Sequence, residues 1–451
     1  MRVITDLQLH SKYSRAVSPQ MAIPHIWEWA KRKGIGLVAT GDWTHPLWMR
    51  EIKSNLEEMG NGLLRLSNTP VAPYFLLATE VSSIYSQGGK VRRVHTLIWT
   101  DSLSSADRIN KELLRHGAKL IADGRPIIGL SCIQVAEIVL SIEPNSLVIP
   151  AHCWTPWFAL YGSQSGFDSI EECFGQFSKN IYAIETGLSS DPSMNWRIKE
   201  LDNRSILSFS DAHSGPKLGR EATVFELQEL SYSAIREAII GQKSGLTPSP
   251  SNSRIAYTIE FYPEEGKYHW TGHRDCGIKQ EPSETRQKGT ICPVCGRKLT
   301  VGVMHRVDDL AGRTEEELQI TNYKFQISNG SGEVRMTKSN AFPNRPPYVS
   351  MVPLQEIVAE TIGGLPTGQK VQDEYRKLTD NLGSEFRILL ESTLPDITKI
   401  SGERIAQAIH KVRTGDIVVD PGYDGVFGKV KIWEEKKKED PADEKRQLSF
   451  F

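Results

Sequence analysis

Long apolar runs are missing from this sequence. No stretch approaches the roughly 18 consecutive apolar residues that a membrane-spanning helix needs. The opening MRVITDLQLH lacks both a charged leader segment and a long apolar one. The expectation is a cytoplasmic chain with no membrane partner. An excess of either charge is missing too: 54 Lys and Arg face 55 Asp and Glu, a formal net charge of -1. That balance excludes a globally basic nucleic-acid coat and leaves room for a local basic groove. Cysteine is scarce, six in 451 residues. Cys132, Cys153 and Cys173 are scattered, whereas Cys276, Cys292 and Cys295 gather around a C-x-x-C, which points to metal rather than disulfides. No repeat of fixed period is present.

What is present is alternation. The length exceeds what one hydrophobic core usually supports, so two or three domains are expected. From residue 1 to about 245, short β-rich runs (RVITDLQLH, IGLVATGD, YFLLATEV, VRRVHTLIW, SLVIPAH, NIYAIETG, SILSFSD) alternate with amphipathic stretches such as IPHIWEWAKRKG and SYSAIREAIIG. This pattern predicts an α/β fold with a mostly parallel, closed or nearly closed sheet. His10, Asp42, Glu80, His95, His152, Glu185 and Asp211 each fall at or just past the C-terminal end of a predicted strand, where barrel enzymes gather their chemistry. A Ser-, Pro- and Gly-rich stretch, Gly241 to Tyr257, reads as a linker or crossing loop. From about Val307 the chain reads as helical with loops, and it closes on the charged run Glu434 to Arg446, expected to be disordered.

Imidazole nitrogens and carboxylate oxygens converging from several strand ends are what divalent ions require. His10, Asp42, His45, Glu80, His95, His152, Asp211 and His213 form such a set, large enough for two or three ions sharing carboxylates. Any one of them alone reads equally well as a hydrogen-bonded rim residue. Glu185 is weighed as a functional residue or as a rim hydrogen-bond acceptor. The order and wording of DLQLHSKYS, TGDWTHP, a lone Glu, VHTLIW, PAHCWTPWF and SDAHS resemble the PHP superfamily of multinuclear metal phosphoesterases. The resemblance implies an irregular seven-stranded (β/α) barrel, with Asp211, Asp42 and Glu80 as catalytic carboxylates. One departure is visible: the family's His-x-His opening is Gln8-Leu9-His10 here.

His273-x-x-Cys276 and Cys292-x-x-Cys295, fifteen residues apart, read as a closed Cys3His structural zinc ribbon. In ITKISGERIAQAIHKVRTG, the apolar spacing around Ser401-Gly402 fits an ordinary helical hairpin. Its wording resembles a helix-hairpin-helix, with Ser401, Gly402 and Lys411 toward a DNA phosphate. The tryptophans of GDWTHPLW and WTPWF, Trp43 to Trp48 and Trp154 to Phe158, read as loop packing or as base-stacking groups.

Barrel (1–245), ribbon (246–305), helical region with the hairpin (306–433) and tail (434–451) together resemble the endonuclease Q family. That resemblance implies a DNA repair endonuclease cutting 5′ to deaminated bases (uracil, hypoxanthine, xanthine) and abasic sites. The implied cofactors are zinc in the ribbon and two or three divalent ions, zinc, manganese or magnesium, in the barrel. The final QLSFF (Gln447, Leu448, Phe450, Phe451) resembles a bacterial sliding-clamp-binding peptide. A 3′-exonuclease, a small-molecule phosphatase and a non-catalytic DNA-binding protein are the rival readings.

Overall fold

The computed structural model describes residues 1–241, 253–327 and 332–433. The charged tail and Gln447, Leu448, Phe450 and Phe451 lie outside the described residues, as does most of the predicted linker.

The chain is a mixed α/β fold. Its first half runs β1 (Arg2–Asp6), β2 (Leu37–Ala39), β3 (Leu56–Glu58), β4 (Leu64–Leu66), β5 (Tyr74–Gln87), β6 (Lys90–Thr100), β7 (Ile127–Ile128), β8 (Leu147–Pro150), β9 (Ala183–Glu185), β10 (Ser205–Leu207) and β11 (Ala222–Glu226), with helices between. The sheet is less parallel than the alternation predicts. β1 pairs parallel with β2, and β2 with β5, but β5, β6 and β8 run antiparallel in succession, and β11 lies antiparallel on β1. The reason is local: β5 and β6 are joined by the tight Gly88-Gly89 turn, both glycines at positive φ, rather than by a helix. β9 and β10 form a separate parallel pair. Backbone bonds tie that pair into the rim, from Cys153 N–H to Glu185 O (3.1 Å) and from His10 N–H to Ala212 O (3.0 Å).

The second half departs further from expectation. β12 (Arg254–Glu260) begins within the predicted linker and pairs antiparallel with β11. β13 (Thr271–His273) and β14 (Ile278–Gln280) make the ribbon hairpin. β15 (Ile320–Gln326), β16 (Glu333–Ser339) and β17 (Tyr348–Ser350) extend the main sheet through β12, in a stretch the sequence reads as helical with loops. In β15, ITNYKFQ, exposed and half-buried residues alternate as in a strand with one face to solvent. Residues assigned by sequence to the ribbon module (246–305) and the helical domain (306–433) thus contribute strands to the main sheet, and the buried apolar cluster runs on from Val3 to Ile432.

Helices follow from Leu354 to Thr414, and a last hairpin, β18 (Val418–Asp420) with β19 (Lys429–Lys431), closes the described chain. The helix Ile23–Lys33 docks on these C-terminal helices through a buried ion pair, Lys33 Nζ to Glu385 Oε2 at 2.7 Å. Gly34 ends that helix at φ 89°, and a Cβ there would stand 2.5 Å from Ser384 Oγ, so the close approach requires glycine. Among the described residues no helix is long and apolar enough to cross a membrane.

Candidate metal centre

Six segments deliver side chains to one end of this scaffold. His10 follows β1, Asp42 follows β2, His152 follows β8, and Asp211 and His213 follow β10. Glu80 and His95 do not sit at strand ends as expected. They lie within the long β5 and β6, which continue past the site as a hairpin. Asp42, His152 and Asp211 all adopt left-handed backbone angles (φ 40°, 31° and 47°), a conformation costly for residues other than glycine. Three such residues around one cluster mark a place where geometry is kept at the expense of stability.

Two sets of ligand-type atoms result, each with its atoms within 4.8 Å of one another: His10 with Asp211 and His213, and Glu80 with His95 and His152. Glu80 joins them. Its Oε1 lies 2.6 Å from His95 Nδ1 and its Oε2 lies 3.4 Å from His10 Nε2. His95 Nδ1 and His152 Nε2 face each other at 3.0 Å. Two imidazole nitrogens aimed at one carboxylate oxygen and at each other need a shared proton or a cation between them, so the donor set fits a divalent ion. Asp211 Oδ1 is buried and lies 3.2 Å from His10 Nε2.

The supporting residues fix these directions. Asp42 is buried, with Oδ1 2.9 Å from His10 Nδ1 and Oδ2 accepting from Ser11 N–H, Ser11 Oγ and Ser14 Oγ at 2.6, 2.7 and 2.8 Å. The predicted ligand Asp42 is therefore saturated by hydrogen bonds and orients His10, turning Nε2 toward Glu80 and Asp211. Gly124 packs on this carboxylate so tightly that a Cβ would stand 2.3 Å from Asp42 Oδ2. His213 Nδ1 pairs with Asp211 O at 2.9 Å, which leaves Nε2 for the cluster. His45, also predicted as a ligand, is not brought in: its Nε2 contacts Ile121 O at 3.2 Å and its ring stacks on Tyr13. It sits at the N-cap of the helix Pro46–Asn55, and the helix start directs its ring away.

Glu185 takes the rim role. It accepts from His152 N–H (2.5 Å), Gly187 N–H (2.7 Å) and Phe209 N–H (3.4 Å), pinning the strained His152 backbone. Gln8 Nε2 donates to Glu80 Oε2 at 2.9 Å, while its Oε1 is buried without a partner. The amide that replaces imidazole thus holds the shared carboxylate and retains a free acceptor. Sequence reasoning missed Arg125 entirely, because a lone Arg in ADGRPIIG reads as a solubilising loop residue. Its Nη1 lies 3.3 Å from Glu80 Oε1 and 3.4 Å from His10 Nε2, a cation placed at the mouth of both sets.

The electrostatics agree with a site built around positive charge. Burial works against charge on His10, yet Asp42, Asp211 and Glu80 together hold its pKa well above the usual imidazole value. Burial likewise opposes ionisation of Glu80, but Arg125 and His95 keep it well below the ordinary carboxylate range. Asp211 is drawn down in the same way against burial, by the hydrogen bond and charge of His10. His95 goes the other way, pushed by burial to about 4, and so offers a neutral ring. Burial raises Glu185 to about 7.

A second ligand group lies in the ribbon, where His273, Cys276, Cys292 and Cys295 offer atoms all within 4.8 Å of one another. His273 Nδ1 is 3.5 Å from Cys295 Sγ. Burial would raise the Cys292 thiol, but the amide N–H groups of Cys295 and Val294 bring it down to about 6, as suits a metal-binding thiolate. The hairpin residues Ser401, Gly402 and Lys411 belong to none of these ligand groups. Leu394–Ser401 and Glu403–Thr414 are two helices joined at Gly402, whose φ is 83°. Lys411, predicted to face phosphate, is occupied by Asp416 at 2.5 Å. Of the tryptophans near the site, Trp43, Trp48 and Trp154 are buried packing residues, and Trp157 is half-exposed.

This mixed α/β scaffold, with paired imidazole–carboxylate sets at one end, defines a hydrolase with a candidate divalent-metal centre. The comparisons narrow the class. The crystal structure of a lesion-specific endonuclease from Pyrococcus furiosus, PfuEndoQ, is similar at 30% identity and a TM-score of 0.79, covering 99% of each chain. An endonuclease Q complex with a 27-mer duplex substrate carrying an abasic lesion is similar at 31% identity and a TM-score of 0.79, over 96% of this chain and 98% of that one. Residues 353–416 match the family model of the MJ0043 C-terminal domain. The uncharacterized protein MJ0043 of Methanocaldococcus jannaschii is 30% identical over 309 residues, 66% of this chain, and the match spans only 34% of that longer protein. The chain belongs to the endonuclease Q family.

Proposed function

We propose that this protein is a DNA repair endonuclease. It hydrolyses the phosphodiester on the 5′ side of a deaminated base (uracil, hypoxanthine or xanthine) or an abasic site, leaving a 3′-hydroxyl and a 5′-phosphate. The observation that carries this reading is the pair of ligand sets sharing Glu80 beneath Arg125, in a chain of this family. The PHP-type seven-stranded barrel belongs to the same reading.

His10, Asp211 and His213 would hold one divalent ion and His95, His152 and Glu80 a second. Bound there, the ions would supply an acidified water nucleophile and neutralise charge on the scissile phosphate. The chain's own residues do the rest. Asp42 keeps His10 aimed, Glu185 keeps His152 aimed, and Gln8 holds the shared Glu80. Arg125, already paired with Glu80, offers its remaining donors to the phosphoryl oxygens, where charge grows in the transition state. The ribbon ligands His273, Cys276, Cys292 and Cys295 would bind a structural zinc, with no position left for water. The turn Ser401-Gly402 and the start of the following helix would meet backbone phosphate without reading sequence.

End-labelled duplexes carrying one lesion test the proposal. A nick at the 5′ side of the lesion, absent from undamaged DNA, is expected. Trimming from 3′ ends would instead identify an exonuclease, and turnover of small phosphate esters alone would identify a phosphatase.

A further inference from the structure

Among the described residues, one aromatic side chain stands out into solvent. Phe427, at the tip of the β18–β19 hairpin, is 69% exposed. A phenylalanine so exposed is common when it stands on a mobile tip, but this tip is clamped. Gly422 N–H bonds Glu264 O (2.8 Å), Gly425 N–H bonds Lys267 O (2.8 Å), Gly428 N–H bonds Glu265 O (3.1 Å), and Trp270 N–H bonds Gly422 O (2.9 Å). A Cβ on Gly428 would stand 2.1 Å from Glu264 O, so the two segments touch backbone to backbone. The clamped loop thus holds the Phe427 ring in solvent, next to the exposed Val426.

The arm also connects to the metal centre. Lys267 Nζ lies 5.8 Å from the Phe427 ring and 5.5 Å from the Tyr268 ring. Tyr268 packs edge-on against Trp157, with centroids 5.6 Å apart. Trp157 belongs to the loop that follows His152, and its neighbour Phe158 lies 4.9 Å from the His95 ring. Half-exposed rings, bridged at the last step by Lys267, thus lead from the ligand set toward the exposed Phe427. Lys267 and Arg274 are exposed beside it, Arg274 lying within 3.2 Å of a Cβ built on Gly425. Rings flanked by cations meet the two needs of a nucleic-acid contact, a face for a base and a charge for the phosphate.

We infer that Phe427 is a wedge that stacks into the duplex beside the lesion and holds the gap open while the damaged nucleotide occupies the site. An enzyme that acts on one nucleotide of a duplex must take it out of the stack, and an inserted apolar side chain offsets part of that unstacking. Lys267 secures the adjoining phosphate. This rests on the reading of the chain as an enzyme acting on lesion-bearing duplex DNA.

The test uses full-length protein in an Asp211→Asn background, so that DNA stays intact, with 2-aminopurine next to an abasic site. Saturating protein is expected to raise 2-aminopurine fluorescence. Phe427→Ala should lose that rise and weaken duplex binding about 5- to 150-fold, the range of one base–aromatic stack. Phe427→Trp should keep both, and binding to an unpaired bubble carrying the same lesion should change far less. A parent protein that binds without a fluorescence rise, or a Phe427→Ala protein indistinguishable from its parent, would overturn the wedge. A fluorescence response that depends on Phe427 in a protein whose unsubstituted form cuts no lesion would support the wedge and overturn the nuclease reading alone.

Discussion

At the scale of single residues, the centre depends on groups that touch no metal as much as on those that could. Gln8 is the clearest case, since its Nε2 is a buried donor to the carboxylate shared by both ligand sets. Gln8→Ala is predicted to weaken divalent-ion affinity about 10- to 100-fold, the usual effect of losing such a support. Calorimetric titration with manganese checks this, and unchanged affinity would contradict it. Arg125→Gln should lower the cleavage rate by about 100-fold while leaving metal content intact, as for a lost transition-state donor. Single-turnover kinetics with metal analysis separates the two effects.

The identities His10, Glu80, His95, His152, Asp211 and His213 were legible in the sequence, because each is a ligand-type residue in or just after an apolar run. Direction was not legible. Asp42 and His45 sit in the same TGDWTHP segment as plausible ligands, yet one carboxylate is consumed by Ser11, Ser14 and His10, and the other ring points to Ile121 O. Such facts depend on residues from distant segments. Arg125 was invisible for a related reason: nothing in ADGRPIIG reveals that the loop folds over His10 and Glu80.

At the scale of elements, a buried ion pair joins the helix Ile23–Lys33 to the C-terminal helices. The Lys33–Glu385 pair is buried, and Glu385 also accepts from Tyr375 Oη (2.8 Å) and from Leu354 N–H (3.1 Å). Removing one partner strands a buried charge. Lys33→Met should therefore cost about 3–5 kcal/mol in urea unfolding, and adding Glu385→Leu should recover part of it. A loss under about 1 kcal/mol for the single variant, the level of an exposed pair, would contradict this. Alternating strands and helices are readable over residues 1–245, but the hairpin of β5 and β6 is signalled only by Gly88-Gly89. Their long apolar runs match buried parallel strands equally well. β15 to β17 are hard to read in the sequence because they are split by polar connections and borrow their partner, β12, from the far side of the ribbon.

At the scale of the whole molecule, burial raises the pKa of several carboxyls outside the ligand sets. Glu260 accepts from Ser208 Oγ at 2.6 Å and is held neutral up to about 8 from an ordinary 4.5, chiefly by burial, with Asp191 and Glu185 adding repulsion. Burial also raises Asp6 to about 6 and Glu265 to about 8. The unfolded chain releases these protons at ordinary carboxylate values and the folded chain later. Stability from them is therefore complete below that range and is lost as pH rises toward about 8, at up to about 1.4 kcal/mol per pH unit for each group. Glu260→Gln should flatten the fall in melting temperature between about pH 5 and pH 8. An unchanged slope would show that Glu260 ionises freely.

The central claim is that the cluster around Glu80 cuts DNA beside a lesion. The most direct test is cleavage of end-labelled duplexes containing one uracil, hypoxanthine or abasic site, beside an undamaged control, by metal-supplemented unsubstituted protein and by Asp211→Asn. The account predicts a single nick on the 5′ side of the lesion, lost in Asp211→Asn and absent from the control. Equal cutting of damaged and undamaged strands, or a nick that persists in Asp211→Asn, would contradict it.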